Sequence, residues 1–129
     1  LRTKLQGRYA DGNVPQVENN PSFQIEDAFV SEAKKHILDN LDNTNFSVEL
    51  LCKKLFLSRQ QVHRKLTALT GQSTQLFIRL IRLQEAKKLL ETTDKSITEI
   101  AFDVGFKEIA YFSKVFSDTF GNSPSFLRK

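Results

Sequence analysis

Apolar residues in this chain return mostly at every third or fourth position, the period of a helix with one buried face. Val30, Ala33, Ile37 and Leu41 predict a first helix over about 27–41, broken by "DNTN". Ser47 is placed to cap a short second helix with Leu51, Cys52 and Leu55 inward. Ser58 begins a third, with Gln61 three residues on as in a capping box and Val62, Leu66 and Leu69 as its buried stripe, and Gly71 ends it. Ser73 opens a long helix to about Leu90 whose inner side carries Leu76, Phe77, Leu80, Leu83 and Leu90. Ser96 and Glu99 form a second capping-box pair, and "GFKEIAYFSKVF" leads to Gly121. Ser123-Pro124 supplies the cap and first residue of a last short helix. No stretch alternates at period two, so the expected class is all-α, with about seven helices.

The pattern repeats. "VELLCKKLFLS" from Val48 aligns with "ITEIAFDVGFK" from Ile97, so that Leu51 pairs with Ile100, Cys52 with Ala101 and Leu57 with Phe106. One residue is then added in the turn. Beyond it Val62 pairs with Phe112, Arg64 with Lys114, Leu66 with Phe116, Gly71 with Gly121 and Ser73 with Ser123. Each unit is a short helix, a tight turn and a second helix, which is the helix-turn-helix arrangement.

In that arrangement the second helix enters the major groove of DNA, so its inner face must be apolar and its outer face must carry hydrogen-bonding or cationic groups. Both second helices have this division. Val62, Leu66 and Leu69 lie inward while Gln60, Arg64 and Thr67 lie outward, flanked by His63 and Ala68. Phe112 and Phe116 lie inward while Ala110, Lys114 and Ser117 lie outward, flanked by Tyr111 and Ser113. Gln and Arg are the side chains that read adenine and guanine edges with two hydrogen bonds. Helix N-termini and their Ser caps suit phosphates. Gly105 is expected to need a left-handed backbone or close helix approach in the second turn. Phe56 at the matching place implies a first turn of different geometry.

Composition narrows the partners. The 129 residues carry a formal charge of +4, concentrated after residue 26, and the isoelectric point is near 9.3. That excess is mild, and it favours a polyanion only together with the motif. A single cysteine excludes an internal disulfide. No apolar run is long enough to span a bilayer. The chain starts at Leu1 and contains no Met, which suggests a piece cut from a longer protein. Residues 1–9 read as the last helix of a preceding domain and residues 10–24, rich in Gly, Pro and Asn, as a linker.

From about Ile25 to Lys129 the sequence resembles the AraC-type transcription regulators. The resemblance rests on "FSVELLCKKLFLSRQQVHRKLTALTGQSTQLFIRLIRLQEAKKLL" and on "SITEIAFDVGFKEIAYFSKVFSDTFGNSPSFLRK", with IA-x-x-VGF, YFS-x-x-F, FG-x-SP and a terminal Arg. It implies two helix-turn-helix subdomains, at about 25–73 and 92–129, joined by a connecting helix at about 74–91 and set into successive major-groove turns. It implies sequence-specific double-stranded DNA binding and transcription regulation. Base readers would be Gln60, Gln61, His63 and Arg64 in the first unit and Ala110, Tyr111 and Lys114 in the second. Phosphate contacts would come from Lys54, Ser58, Arg59, Lys107 and Ser113. Ser117-Asp118 stands where two basic residues are common in the family, so the first unit is expected to carry more of the specificity. "LRTKLQGRYADG" resembles the end of a receiver domain, which implies the output of a hybrid two-component regulator: cytoplasmic itself, with a parent anchored in the inner membrane. Dimerisation of that parent and contact with RNA polymerase go with the same reading.

Other uses of these residues weigh less. Cys52 stands where the repeat has Ala101 and reads as a small core residue. His36 has no cluster around it, and no catalytic constellation, metal-ligand spacing or phosphate loop is present, so no enzyme, cofactor or metal is expected. A protein-interaction module on a helix-turn-helix frame is the stronger rival, but it would want apolar residues at 60, 64 and 114, where Gln, Arg and Lys stand.

Overall fold

The computed structural model describes residues 21–128, with side chains from residue 28 onward. Among them are seven helices and no strand. They are α1 (Pro21–Asp39), α2 (Val48–Leu55), α3 (Arg59–Thr70), α4 (Thr74–Thr92), α5 (Ile97–Asp103), α6 (Ile109–Phe120) and α7 (Pro124–Arg128). The class is all-α, as the periodicity requires. Helix α1 starts at Pro21, earlier than the expected residue 27 and inside the stretch read as a linker over 10–24, so the last four residues of that stretch are helical. Proline at a first helical position is preset to the helical φ and lacks only an N–H that would have no partner there. The remnant expected at 1–9 and the rest of the linker lie outside the described residues.

The chain divides into two compact units. One contains residues up to Ile37 together with Ser47–Ile78, and the other contains Leu38–Phe46 together with Arg79 onward. The division falls inside α4 rather than at its ends, and the loop before α2 belongs to the second unit, unlike the simple succession 25–73, 74–91, 92–129.

In the first unit Ala33, Ile37, Leu51, Cys52, Val62, Leu66, Leu69 and Phe77 are buried, so the inward stripes read from the sequence form one core. Ser47 accepts from Leu50 N at the start of α2. At the start of α3, Ser58 Oγ accepts from Gln61 N at 3.1 Å and Gln61 Oε1 accepts from Ser58 N at 2.9 Å, which completes the capping box. Gly71 ends α3 at φ 77.

The core of the second unit is made by Leu83, Ala86, Leu90, Ile100, Ala101, Val104, Phe106, Phe112, Val115 and Phe116. Its aromatic rings run in a chain, Phe106 to Phe112 at 5.1 Å, Phe112 to Phe116 at 5.6 Å and Phe116 to Phe120 at 4.6 Å between centroids. These separations suit tilted and edge-on ring pairs. Arg128 closes the unit by donating to the carbonyls of Lys95, Thr93 and Leu90. Lys87 lays its Nζ 5.2 Å from the centroid of the Phe120 ring.

One polar side chain is built into this unit. Arg82 is 6% exposed, and its guanidinium donates to four carbonyls: Val104 at 2.7 Å, Leu41 at 3.1 Å, and Asn43 and Phe46 at 3.4 Å. The loop over 38–46 is thereby tied to the turn after α5. Burial pulls the Arg82 pKa below its ordinary value.

Candidate nucleic-acid interface

The two helix-turn-helix turns are held by the same hydrogen bonds. After α2, Phe56 N donates to Lys53 O and Leu57 N to Cys52 O, both at 3.2 Å. After α5, Gly105 N donates to Phe102 O at 3.0 Å and Phe106 N to Ala101 O at 2.9 Å. Both turns pass through the left-handed region, Phe56 at φ 57 and Gly105 at φ 93. The expectation that the first turn must differ in geometry is therefore corrected: Phe56 adopts the conformation that Gly105 adopts freely.

These turns fix which faces of α3 and α6 look outward. On α3, Gln60, Gln61, His63, Arg64, Lys65 and Thr67 are exposed while Val62, Leu66 and Leu69 are buried. Gln61 is exposed, but its amide oxygen already accepts the cap bond from Ser58 N, so its side chain is held at the helix start with its amide N–H groups and one oxygen lone pair left for a partner. Lys65 bends back over the ring of Phe29, 5.4 Å from its centroid. Arg64 stands opposite the buried stripe. On α6, Ala110, Tyr111 and Lys114 are exposed and Ser113 is half-buried. Lys114 Nζ lies 3.2 Å from Asp118 Oδ2, one turn along, so the second unit's one outward cation here is partly neutralised. Tyr111 Oη accepts from Arg79 Nη1 at 3.4 Å. At the N-cap of α6 stands Glu108, with no side-chain cap bond. A carboxylate there opposes a phosphate, and it adds to the asymmetry already read from Ser117-Asp118.

Of the residues expected on phosphate, Lys54, Arg59 and Lys107 are exposed, while Ser58 Oγ serves the α3 cap. Arg59, Gln60 and His63 are brought together on an open notch of about 530 Å³, whose other wall is Ser73, Thr74 and Gln75 at the start of α4. Sequence reading missed this second wall, because periodicity marks Thr74 only as a residue next to a cap. Cys52 is buried as expected, and burial chiefly raises its thiol pKa, with Arg59 opposing and Glu49 adding. His36 Nε2 lies 3.5 Å from Glu32 on the same helix. Among the described residues no group of three or more His, Cys, Asp or Glu is placed to hold a metal, and no helix is long and apolar enough to cross a membrane.

A helix-turn-helix domain family matches residues 51–129. The chain belongs to this family, that of AraC-type DNA-binding domains. It is a family of DNA-binding transcription regulators. The chain is 32% identical over 124 residues to Histidine kinase P4 of Formosa agariphila, covering 96% of this chain and 9% of that protein. The C-terminal domain of AraT, a response regulator from Geobacillus stearothermophilus, superposes with a TM-score of 0.70 at 29% identity, covering 77% of this chain and 82% of that one. The DNA-binding domain of AdpA, a global transcriptional factor solved with a target DNA, gives a TM-score of 0.70 at 30% identity and covers 77% and 88%. The chain spans less than two-fifths of the length of the curated relatives it matches.

Proposed function

We propose that this chain is the DNA-reading output of a hybrid two-component regulator and that α3 carries most of its sequence preference. The observation that carries the reading is the exposed face of α3: Gln60, His63 and Arg64 stand outward over a closed apolar core, on a helix set by the same turn that sets α6. In this reading Arg64 forks onto a guanine, Gln60 and His63 read neighbouring edges, and Gln61 contributes from a side chain held by its cap bond. Ala110 offers apolar contact to a thymine methyl, and Tyr111 and Lys114 add polar contacts from the second unit. Lys54, Ser58, Arg59, Lys107 and Ser113 position the domain on phosphates.

The two-component assignment is supported by the likeness to a histidine kinase and to a response-regulator domain, since both belong to phosphorelay proteins. In the full-length protein, phosphorylation upstream would control dimerisation on DNA, and the bound domain would face RNA polymerase. The domain itself works in the cytoplasm, below a parent anchored in the inner membrane. A protein-interaction module is disfavoured by the polar and charged residues at 60, 64 and 114.

The test is selection from a random duplex pool, followed by titration of the selected and a scrambled duplex at several salt concentrations. Tighter binding of the selected duplex is expected, with a slope of log K against log salt of about −5 to −7 if six to eight phosphates are neutralised. No enrichment and a slope near zero would remove the DNA reading.

A further inference from the structure

The notch between α3 and the start of α4 is lined by Arg59, Gln60, His63, Ser73, Thr74 and Gln75, together with Val48. Thr74 is 4% exposed and lines this open notch, and its buried Oγ1 has no hydrogen-bond partner. A buried hydroxyl without a partner is uncommon, because the water it gave up is not replaced. It sits at the first position of a 19-residue helix. The first N–H groups of a helix have no acceptor inside it. Here Ser73 Oγ takes the N–H of Leu76 at 3.2 Å, which leaves those of Thr74 and Gln75 for an outside acceptor. Across the notch stand Arg59, Gln60 and His63, and no carboxylate lines it. Three kinds of donor, a hydroxyl, helix-terminal N–H groups and a guanidinium, thus border one space, and the helix dipole adds positive potential.

The repeat supplies an internal comparison. The second unit has Pro124 where the first has Thr74, and Pro124 is fully buried with neither N–H nor hydroxyl to offer. At the positions matching Arg59 and Gln60 it has Ile109 and Ala110. The second unit thus lacks the hydroxyl and the guanidinium that the first unit has at these positions.

We propose that the notch holds one phosphate of the DNA backbone, taken by Thr74 Oγ1, the N–H groups of Thr74 and Gln75, and Arg59. The proposal rests on the DNA-binding reading of the domain and adds a fixed register to it: a phosphate seated beside the start of α3 sets how far Arg64 reaches into the groove. His63 borders the same notch, so it faces the seated phosphate as well as the base edges.

The experiment compares the wild-type chain, Thr74→Val and Thr74→Ser on a set of selected duplexes, each carrying one neutral methylphosphonate at a different position. Thr74→Val should weaken binding roughly five- to tenfold on selected and scrambled DNA alike, with an unchanged or raised melting temperature, and Thr74→Ser should restore binding. One methylphosphonate position should weaken the wild type more than it weakens Thr74→Val, which keeps Arg59 and the amide donors but has lost the hydroxyl. Equal affinity of Thr74→Val and wild type, or a falling melting temperature that shows the hydroxyl serves the fold, would overturn the proposal. So would loss of affinity spread over every methylphosphonate position. Inorganic phosphate at constant ionic strength provides the last arm. If it shifts the Thr74 and Gln75 amide resonances while Thr74→Val leaves DNA binding intact, the notch is a free-anion site and the assignment to DNA fails. If the wild type binds no duplex with a salt-dependent slope, the DNA-binding reading falls instead.

Discussion

Phe56 and Gly105 occupy the same position in the two helix-turn-helix turns, both left-handed, yet what surrounds them differs. Phe56 is 91% exposed. A Cβ on Gly105 would fall 1.2 Å from Arg82 Nη1 and 2.5 Å from Leu41 O. The first turn accepts a side chain because its outer side is open. The second cannot, because a buried arginine runs beneath it. Replacing Phe56 by Gly should relieve the left-handed strain and stabilise the domain by about 0.5–1 kcal/mol, after allowance for glycine's own entropy. Gly105→Ala should destabilise by at least about 2 kcal/mol, from positive φ and from displacement of Arg82. Denaturant unfolding of both variants checks the pair, and equal effects of the two substitutions would contradict the account.

Arg82 itself gives the second expectation. Four carbonyls accept from its planar fork, a geometry that a lysine ammonium cannot reproduce. Arg82→Lys should lower stability by about 2–4 kcal/mol, since buried carbonyls lose their donors. Amide exchange should quicken over residues 38–46 and in the turn after α5. A loss of stability without faster exchange in those two segments would show that the arginine does not tie them.

The α5 capping box should titrate. Glu99 Oε1 accepts from Ser96 N at 3.0 Å, and this bond, first among the causes, lowers the Glu99 pKa. A folded pKa below the unfolded one gives stability that is present above the unfolded value, near pH 4.3, and lost as pH falls through the folded value. Glu99→Gln keeps an acceptor, as Gln61 does for Ser58, but cannot ionise. The variant should therefore lose less stability than wild type between about pH 5 and pH 3. Parallel stability curves for the two would rule this contribution out.

Much of the fold was legible because the repeat constrains it twice. Ser58 with Gln61, Ser96 with Glu99, Gly71 and Gly121 all stand at the helix ends that the sequence marks. Two features were not legible, for one reason: each depends on contacts far apart in the chain. Arg82 reads as an ordinary charge on the long helix, and only the carbonyls of Leu41 and Val104 make it a core residue. Thr74 reads as a polar residue after a cap, and only α3 closes a wall opposite it. The pairing of Lys114 with Asp118, 3.2 Å apart, is of another kind: four residues apart on one helix, it is a local contact that the spacing allows. The outward faces of α3 and α6 were legible, since burial of Val62 and Phe112 leaves Arg64 and Lys114 nowhere else to point.

The pair of Lys114 and Asp118 bears on how strongly the second unit holds DNA. Both side chains are well exposed, so their mutual attraction is worth little to the fold. On DNA the carboxylate is a liability, because it offsets the lysine and repels phosphate. Asp118→Asn should tighten binding to selected and scrambled DNA by a few fold and steepen the salt slope by up to about one. Unchanged affinity would place this end of α6 away from the duplex.

The last expectation separates reading from positioning within α3. Arg64 stands outward, opposite Val62, Leu66 and Leu69, where a guanidinium can fork onto guanine O6 and N7 for roughly 1–3 kcal/mol of discrimination. Arg59, first residue of α3, borders the Thr74 notch, and in the proposed reading it meets backbone rather than bases. Arg64→Ala should weaken the selected duplex about 5- to 100-fold while barely affecting scrambled DNA, and should relax preference at one or two adjacent base pairs. Arg59→Ala should weaken both duplexes by similar factors and flatten the salt slope by about one. Neither should move the melting temperature appreciably, since both side chains are exposed. Salt titrations of each variant on both duplexes give the comparison. If Arg64→Ala weakens the two duplexes equally, Arg64 clamps phosphate, and base reading on α3 passes to Gln60, Gln61 and His63.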